Sequence, residues 1–164
     1  METLAAIGAR CSVRRFESRP VPREILEKLV DAGRLAPTAS NIQPWEFIVV
    51  TDESVKNRVA AITDHGKFIA DAPAMIAVFG KDTKYYLEDG CAATTNILLA
   101  ATGLGLGACW VAGSNKPYCE EISAVLGVPA GYKLVSLIPV GYPAVPAPRA
   151  PKRALQDLIH WDKF

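Results

Sequence analysis

Apolar positions recur at helical spacing between Pro22 and Ala36, where Ile25, Leu26, Leu29, Val30 and Ala32 make one face. Pro22 suits a first helical position, Glu24 and Lys28 form an i, i+4 pair, and Pro37 stops the helix. The pattern then changes to β-branched and aromatic residues over Trp45–Val50, which predicts a strand. Thr51-Asp52 offers a cap for a helix over about 53–63. Ala74–Phe79 is apolar without alternation and predicts a strand buried on both faces. Tyr85 to Thr102 predicts a long helix, apolar almost all round from Cys91 onward and capped by Gly103. A third strand is expected over Leu106–Val111, a helix over Pro117–Leu126 with Gly127 as its cap, and a fourth strand over Lys133–Val140. Residues 2–9 form a short helix in this reading. The proline-rich tail from Gly141 is extended, with a last turn near Leu155–Ile159.

Strands separated by helices suggest a parallel doubly wound sheet. The strands here are few and the helices long and apolar, which favours a mixed α+β layer fold. The 164 residues suffice for a single domain, 1–164, with no repeat, low-complexity segment or linker before residue 142.

Charge narrows the function. The net charge is +1, from 18 basic and 17 acidic residues, without the basic excess of a nucleic-acid binder. Cys11, Cys91, Cys109 and Cys119 form no C-x-x-C pair and have only His65 and His160 to join them, so no metal site is expected. Reduced thiols and a cytoplasmic location are the expectation. The stretch Met1–Ile7 is too short and polar for a secretory signal. The apolar run Ile97–Val111 is broken by Gly103, Gly105 and Gly107, so no membrane span is expected.

Two polar clusters carry candidate chemistry. Arg10, Ser12, Arg14 and Arg15 put three guanidinium groups and a hydroxyl in one short run. The planar fork of arginine suits phosphate, and a solvated basic turn is the alternative. Pro37-Thr38-Ala39-Ser40-Asn41-Ile42-Gln43-Pro44-Trp45 places hydroxyl and amide groups where a helix pattern gives way to a strand pattern. Ser40, Asn41 and Gln43 can pair with a polar ring edge or simply cap a turn. Trp45 reads as core. Gly103-Leu104-Gly105-Leu106-Gly107 is not a dinucleotide fingerprint, because a helix precedes it and a strand follows. Trp110-Val111-Ala112-Gly113 ends a strand in small residues, and the N–H groups of Ala112 and Gly113 are expected to be open to a ligand. Arg149, Lys152 and Arg153 make a basic group in the tail; Lys67 stands beside His65. Glu88 and Asp89 fit the dipole of the long helix and receive no catalytic role.

The order of these elements resembles the FMN-dependent nitroreductase family. Arg10-Cys11-Ser12-Val13-Arg14-Arg15-Phe16 is similar to its R-x-S-x-R-x-F motif, and Pro37–Trp45 to its P-S-x-x-N-x-Q-P-W element, with Thr38 where serine is common. Asp71-Ala72-Pro73, the alanine-rich helix, Gly103-Leu104-Gly105 with Trp110, and Gly141-Tyr142-Pro143 follow in the family's order. The resemblance implies an α+β fold with a mixed, mostly antiparallel sheet flanked by helices, in an intertwined homodimer that binds FMN at its interface. It implies that Arg10, Cys11, Ser12, Arg14, Lys152 and Arg153 surround the phosphate and the nearby flavin edge. Thr38, Ala39, Ser40, Asn41 and Gln43 would reach the flavin from the second subunit. Val111, Ala112 and Gly113 would lie near the reactive ring nitrogen, and Lys67 near the pyrimidine side.

The implied activity is hydride transfer from NADH or NADPH to FMN, then reduction of a small electron-poor acceptor such as a nitroaromatic or quinone. No protein side chain is assigned as acid or base. There is little chain between the second strand and the Tyr85 helix to cover a substrate, which predicts an open site. Two rival readings are a flavin-binding sensor or FMN store without turnover, and a non-flavin interaction protein built on the same scaffold.

Overall fold

The apolar run expected to be doubly buried is the centre of the sheet. In the computed structural model, which describes residues 1–164, β1 (Trp45–Val50) and β5 (Tyr132–Gly141) flank β2 (Ala74–Lys81), and both pairings are antiparallel. Alternate residues of β2 enter two different cores. Ala74, Ile76 and Val78 pack with Leu26 and Leu29 of α2 (Arg23–Arg34) and with Ile97, Leu98 and Ala101 of α4 (Tyr86–Gly103). Met75, Ala77 and Phe79 pack with Val59 and Ala60 of α3 (Glu53–Ile62) and Ile122 of α5 (Cys119–Val125). Helices on both faces leave β2 no solvated side, hence no polar alternation.

A register shift between Val78 and Phe79 skips Val135 on β5. The extra residue turns Val135 and Ser136 toward the same helix. Val135 joins the α4 core, and the buried Ser136 hydroxyl lies 2.8 Å from that of Thr94 on α4.

The third strand differs from expectation. It is split into β3 (Gly107–Ala108) and β4 (Val111–Ala112), both antiparallel to β5, with Cys109 and Trp110 between them. The Cys109 N–H donates to the Pro139 carbonyl at 3.3 Å. Proline has no N–H to return, so the ladder is half-made at that pair. The doubly wound alternative is excluded: every strand pairing in this sheet is antiparallel, in the order β1-β2-β5-β3 with β4 also on β5.

The cap of α4 is also displaced. Gly103 is its last residue, and the left-handed position is Gly105 at φ 76°. Leu106 N–H donates to Ala101 O at 2.8 Å and Gly105 N–H to Thr102 O at 3.1 Å, the paired bonds that close a helix through a left-handed residue. At the other terminus type, Asp52 caps α3 by accepting from the Val55 N–H at 2.9 Å. Asp52→Ala is therefore expected to cost about 1 kcal/mol, read as a lower denaturation midpoint with an unchanged slope.

α1 (Thr3–Ala9) packs across α4, yet Leu4 is 82% and Ile7 52% exposed. The last backbone tie of the tail to the body is Ala144 N–H to Arg15 O at 3.0 Å. Beyond it Leu155, Leu158 and Trp161 lie exposed. No helix is long and apolar enough to cross a membrane.

Candidate functional site

The chain from Arg10 to Phe16 is held on the outer edge of β3. Ser12 bridges Ala108 in parallel, Val13 N–H donates to Ala108 O at 3.0 Å, and Phe16 bridges Pro143. Gly107 permits this approach: a Cβ there would lie 2.7 Å from the Val13 side chain. Gly107→Ala is expected to cost about 1–3 kcal/mol by overpacking and to loosen the arginine segment, measurable as a lower melting temperature with faster amide exchange at Val13.

Register decides which backbone groups face that segment. Cys109 N–H bonds to Pro139 and Gly113 N–H to Val135 O at 3.2 Å, so the odd-numbered residues face β5. Antiparallel alternation turns the N–H groups of Trp110 and Ala112 away from β5. The Ala112 carbonyl, on that same side, accepts from Tyr118 Oη at 2.7 Å. Burial pushes the Tyr118 phenol up, with Asp64 and Cys119 adding to the effect. Half of the sequence expectation for this stretch needs correction. The Ala112 N–H is open, whereas the Gly113 N–H is spent on Val135.

Beside this edge, Arg14, His65, Phe68, Trp110, Val111 and Ala112 are among the residues lining a cavity of about 170 Å³. The Arg14 guanidinium stands 5.8 Å from the Phe68 ring. Neither Arg10 nor Arg14 is in a salt bridge; the ion pairs of this chain involve Arg23, Arg34, Lys116 and Lys133. Cys109 lies under the cluster. Burial pushes its thiol up, while Arg14, Ser12 and Arg10 act in the opposite sense. A buried thiol of raised pKa is a packing group rather than a nucleophile.

The structure brings Arg10, Ser12, Arg14, Val111 and Ala112 to one region, with Cys11 in the same segment. Gly113 follows Ala112 there, and Lys67 lies between the lining residues His65 and Phe68 with its ammonium held elsewhere; the others are not brought there. Lys67 Nζ donates to Ala61 O at 2.7 Å, at the C-terminal end of α3. Lys152 and Arg153 stand in the exposed tail, where Arg153 bonds Asp157 O at 2.8 Å.

Thr38, Ala39, Ser40, Asn41 and Gln43 lie at the opposite end of the sheet. Their loop enters β1, and Pro44 O accepts from Lys81 N–H at the far end of β2. The arginine segment sits near the Ala74 end, where Val140 pairs with both Ala74 and Ala108. Eight residues of strand separate the two ends, about 25 Å at the usual rise per residue. One chain therefore carries two separated polar sites.

The loop itself is tightly wound. Ser40, Asn41 and Gln43 have φ of 52°, 55° and 52°. Gln43 Nε2 donates to Asn41 Oδ1 at 3.1 Å, and Gln43 N–H to Thr38 Oγ1 at 3.3 Å. Sequence reasoning missed Asp89, which it left to the helix dipole. Asp89 is buried and accepts from Ala39 N–H at 3.0 Å. Fifty positions separate the two residues, so no local pattern could have linked them.

Comparison with known proteins identifies the family. The model of the nitroreductase family matches residues 7–65 and 63–142. A protein of Archaeoglobus fulgidus, named provisionally as an NADH dehydrogenase/NAD(P)H nitroreductase, is 36% identical over 99% of both chains. The structure of an FMN-dependent nitroreductase from Clostridium difficile superposes with a TM-score of 0.92 at 28% identity, covering 98% of this chain and 99% of that one. The iodotyrosine deiodinase of Thermotoga neapolitana is 27% identical over 94% of this chain and 95% of its own. The motif order, the antiparallel sheet and the family match agree along most of the chain: it belongs to the nitroreductase family.

Proposed function

We propose that the chain is an FMN-dependent oxidoreductase that passes hydride from NADH or NADPH, by way of bound FMN, to a small electron-poor acceptor such as a nitroaromatic or quinone. The observation that carries this reading is the convergence of Arg10, Ser12 and Arg14, unpaired with any acid, on a strand edge whose Ala112 N–H is open. Such a donor set fits a phosphate joined to a polar ring. FMN, when bound, supplies the hydride chemistry, and the protein supplies orientation and electrostatics.

In this reading Arg10, Cys11, Ser12 and Arg14 hold the phosphate and ribityl end, with Lys152 and Arg153 of the tail closing over the phosphate. Val111 and Ala112 border the ring edge, and Gly113 follows them with its N–H held by β5. Lys67 reaches the pyrimidine side only after leaving Ala61 O. Thr38, Ala39, Ser40, Asn41 and Gln43 come from a second copy. A single chain has its two polar sites at opposite ends of β2, and a twofold partner brings one chain's loop to the other's arginines. The exposed apolar residues of α1 and the five between Leu155 and Phe164 of the tail support that homodimer, since apolar surface concentrated in this way marks an interaction site. Only residues 82–85 connect β2 to α4, too few for a lid, which suits several planar acceptors. The cytoplasmic assignment rests on four free cysteines.

The test is an anaerobic titration of FMN-loaded protein with NADH and with NADPH. Rapid bleaching of the flavin band supports the reductase. A band that persists with both donors overturns nicotinamide as reductant and favours a sensor. Protein that takes up no FMN overturns the cofactor assignment. Nitroaromatic, quinone and iodotyrosine acceptors added to the reduced protein then rank the substrate class.

A further inference from the structure

We propose that Asp89 of α4 is a positioning residue that clamps the Thr38–Gln43 loop in its flavin-binding conformation through the Ala39 N–H. The inference rests on the FMN reading above and extends it to a residue outside the binding motifs.

The loop is unusual in its backbone. Three of its non-glycine residues, Ser40, Asn41 and Gln43, occupy the left-handed region. Asparagine tolerates that region; serine and glutamine gain nothing from it. Such residues persist only where surrounding contacts over-determine them. The contacts within the loop are few and mostly long, at 3.1 to 3.4 Å for the Gln43 side chain, 3.3 Å for the Gln43 N–H, and 3.3 and 3.2 Å for the Asn41 and Ile42 N–H groups. The shorter tie is external, at 3.0 Å from Ala39 N–H to Asp89 Oδ1. It acts at the first residue of the Ala39–Asn41 turn, where a turn N–H has no partner of its own.

Asp89 is 5% exposed, and its second oxygen, Oδ2, is buried without a hydrogen-bond partner. An orphaned buried acceptor is costly, and a stable fold alone would be better served by an apolar residue. Its retention beside a strained loop points to a task in that loop. α4 is a sound anchor for it: Gly90, Ala93 and Thr94 on the next turn are buried against the sheet.

The test compares Asp89→Leu, Asp89→Asn and Ala39→Pro. Leucine removes the acceptor; asparagine keeps an oxygen at Oδ1. Proline removes only the donor. A first turn position tolerates proline, and Thr38 at φ −132°, ψ 153° already has the backbone that precedes one. The dissociation constant of FMN is expected to rise about tenfold or more in Asp89→Leu and Ala39→Pro, the measure of one unsatisfied hydrogen bond. The double variant should be no worse than the weaker single one. Asp89→Asn should stay within about threefold of the original, because its amide oxygen still accepts. Unchanged FMN affinity in Ala39→Pro would overturn the proposal. So would an Asp89→Asn variant as impaired as Asp89→Leu. Amide exchange at residue 39 in flavin-free protein separates this inference from the cofactor assignment. Slow exchange that becomes fast in Asp89→Leu supports the clamp even if FMN is not the ligand, and equal exchange in both refutes it.

Discussion

Deleting residues 145–164 is expected to leave a folded body that has lost FMN and much of its dimer. The cut falls after Ala144, whose N–H makes the last backbone bond to the body. Neither hydrophobic core includes a residue beyond it, so the helices and sheet keep their packing. What goes is the pair Lys152 and Arg153, together with the exposed Leu155, Leu158, Ile159, Trp161 and Phe164. Each charged hydrogen bond lost from an anion site is worth about 1.5–3 kcal/mol. Two such losses together predict FMN binding weaker by about 100-fold or more. The matching readout is size: the full chain, 17.6 kDa per copy, is expected at a dimeric elution volume and the truncated chain nearer a monomeric one, while the far-ultraviolet circular dichroism of the two stays close. A truncated protein that still elutes as a yellow dimer would refute the role given to the tail.

Arg14→Met is expected to raise the FMN dissociation constant about 10- to 100-fold with little change in melting temperature. Arg14 is exposed and in no ion pair, so the fold loses only its weak contact with the Phe68 ring. Methionine keeps most of the side-chain length and removes the fork. Arg14→Lys should recover part of the affinity, since an ammonium supplies charge without two parallel donors. Flavin fluorescence titration reads both variants. Affinity unchanged in Arg14→Met would show that the cluster is only a solvated turn, the alternative that the sequence left open.

The two variants probe different links. In the proposed reading Arg14 meets the flavin from the folded body of one chain, and the tail closes the phosphate site and the dimer. If Arg14→Met loses FMN and the truncation does not, the phosphate site is built without the tail. If both lose it, the tail closes the phosphate site as proposed.

Much of the fold was legible because its signals are local. Pro22, the apolar face from Ile25 to Ala32 and Pro37 bracket a helix without help from elsewhere. Asp52 and the left-handed Gly127 mark helix ends by their own backbone chemistry. The unbroken run at Ala74–Phe79 announced burial on both faces, and two helical layers supply it. The arginine and Pro37–Trp45 motifs stood out because loops between periodic segments carry binding groups disproportionately, and because their order resembles that of a known family.

Other features depended on contacts far along the chain. Pro139 divides the strand at Cys109 across a separation of thirty residues, since its missing donor matters only once the strands pair. Register against Val135 decided that the Ala112 N–H is open and the Gly113 N–H is not. The bulge that turns Val135 and Ser136 toward α4 exists only in the paired sheet. Asp89 reads in sequence as a residue favoured by a helix dipole, and becomes a loop clamp only when α4 lies beneath Ala39. Sequence by itself determined most of the elements, the caps at Asp52 and Gly127 and the two polar motifs, because these follow from propensity and periodicity within a few residues. Tertiary structure alone decided strand direction, register, which backbone donors remain free and the placing of the two motifs at opposite ends of one sheet. Those depend on which surfaces meet, and hydrogen bonds between distant residues form only after they do.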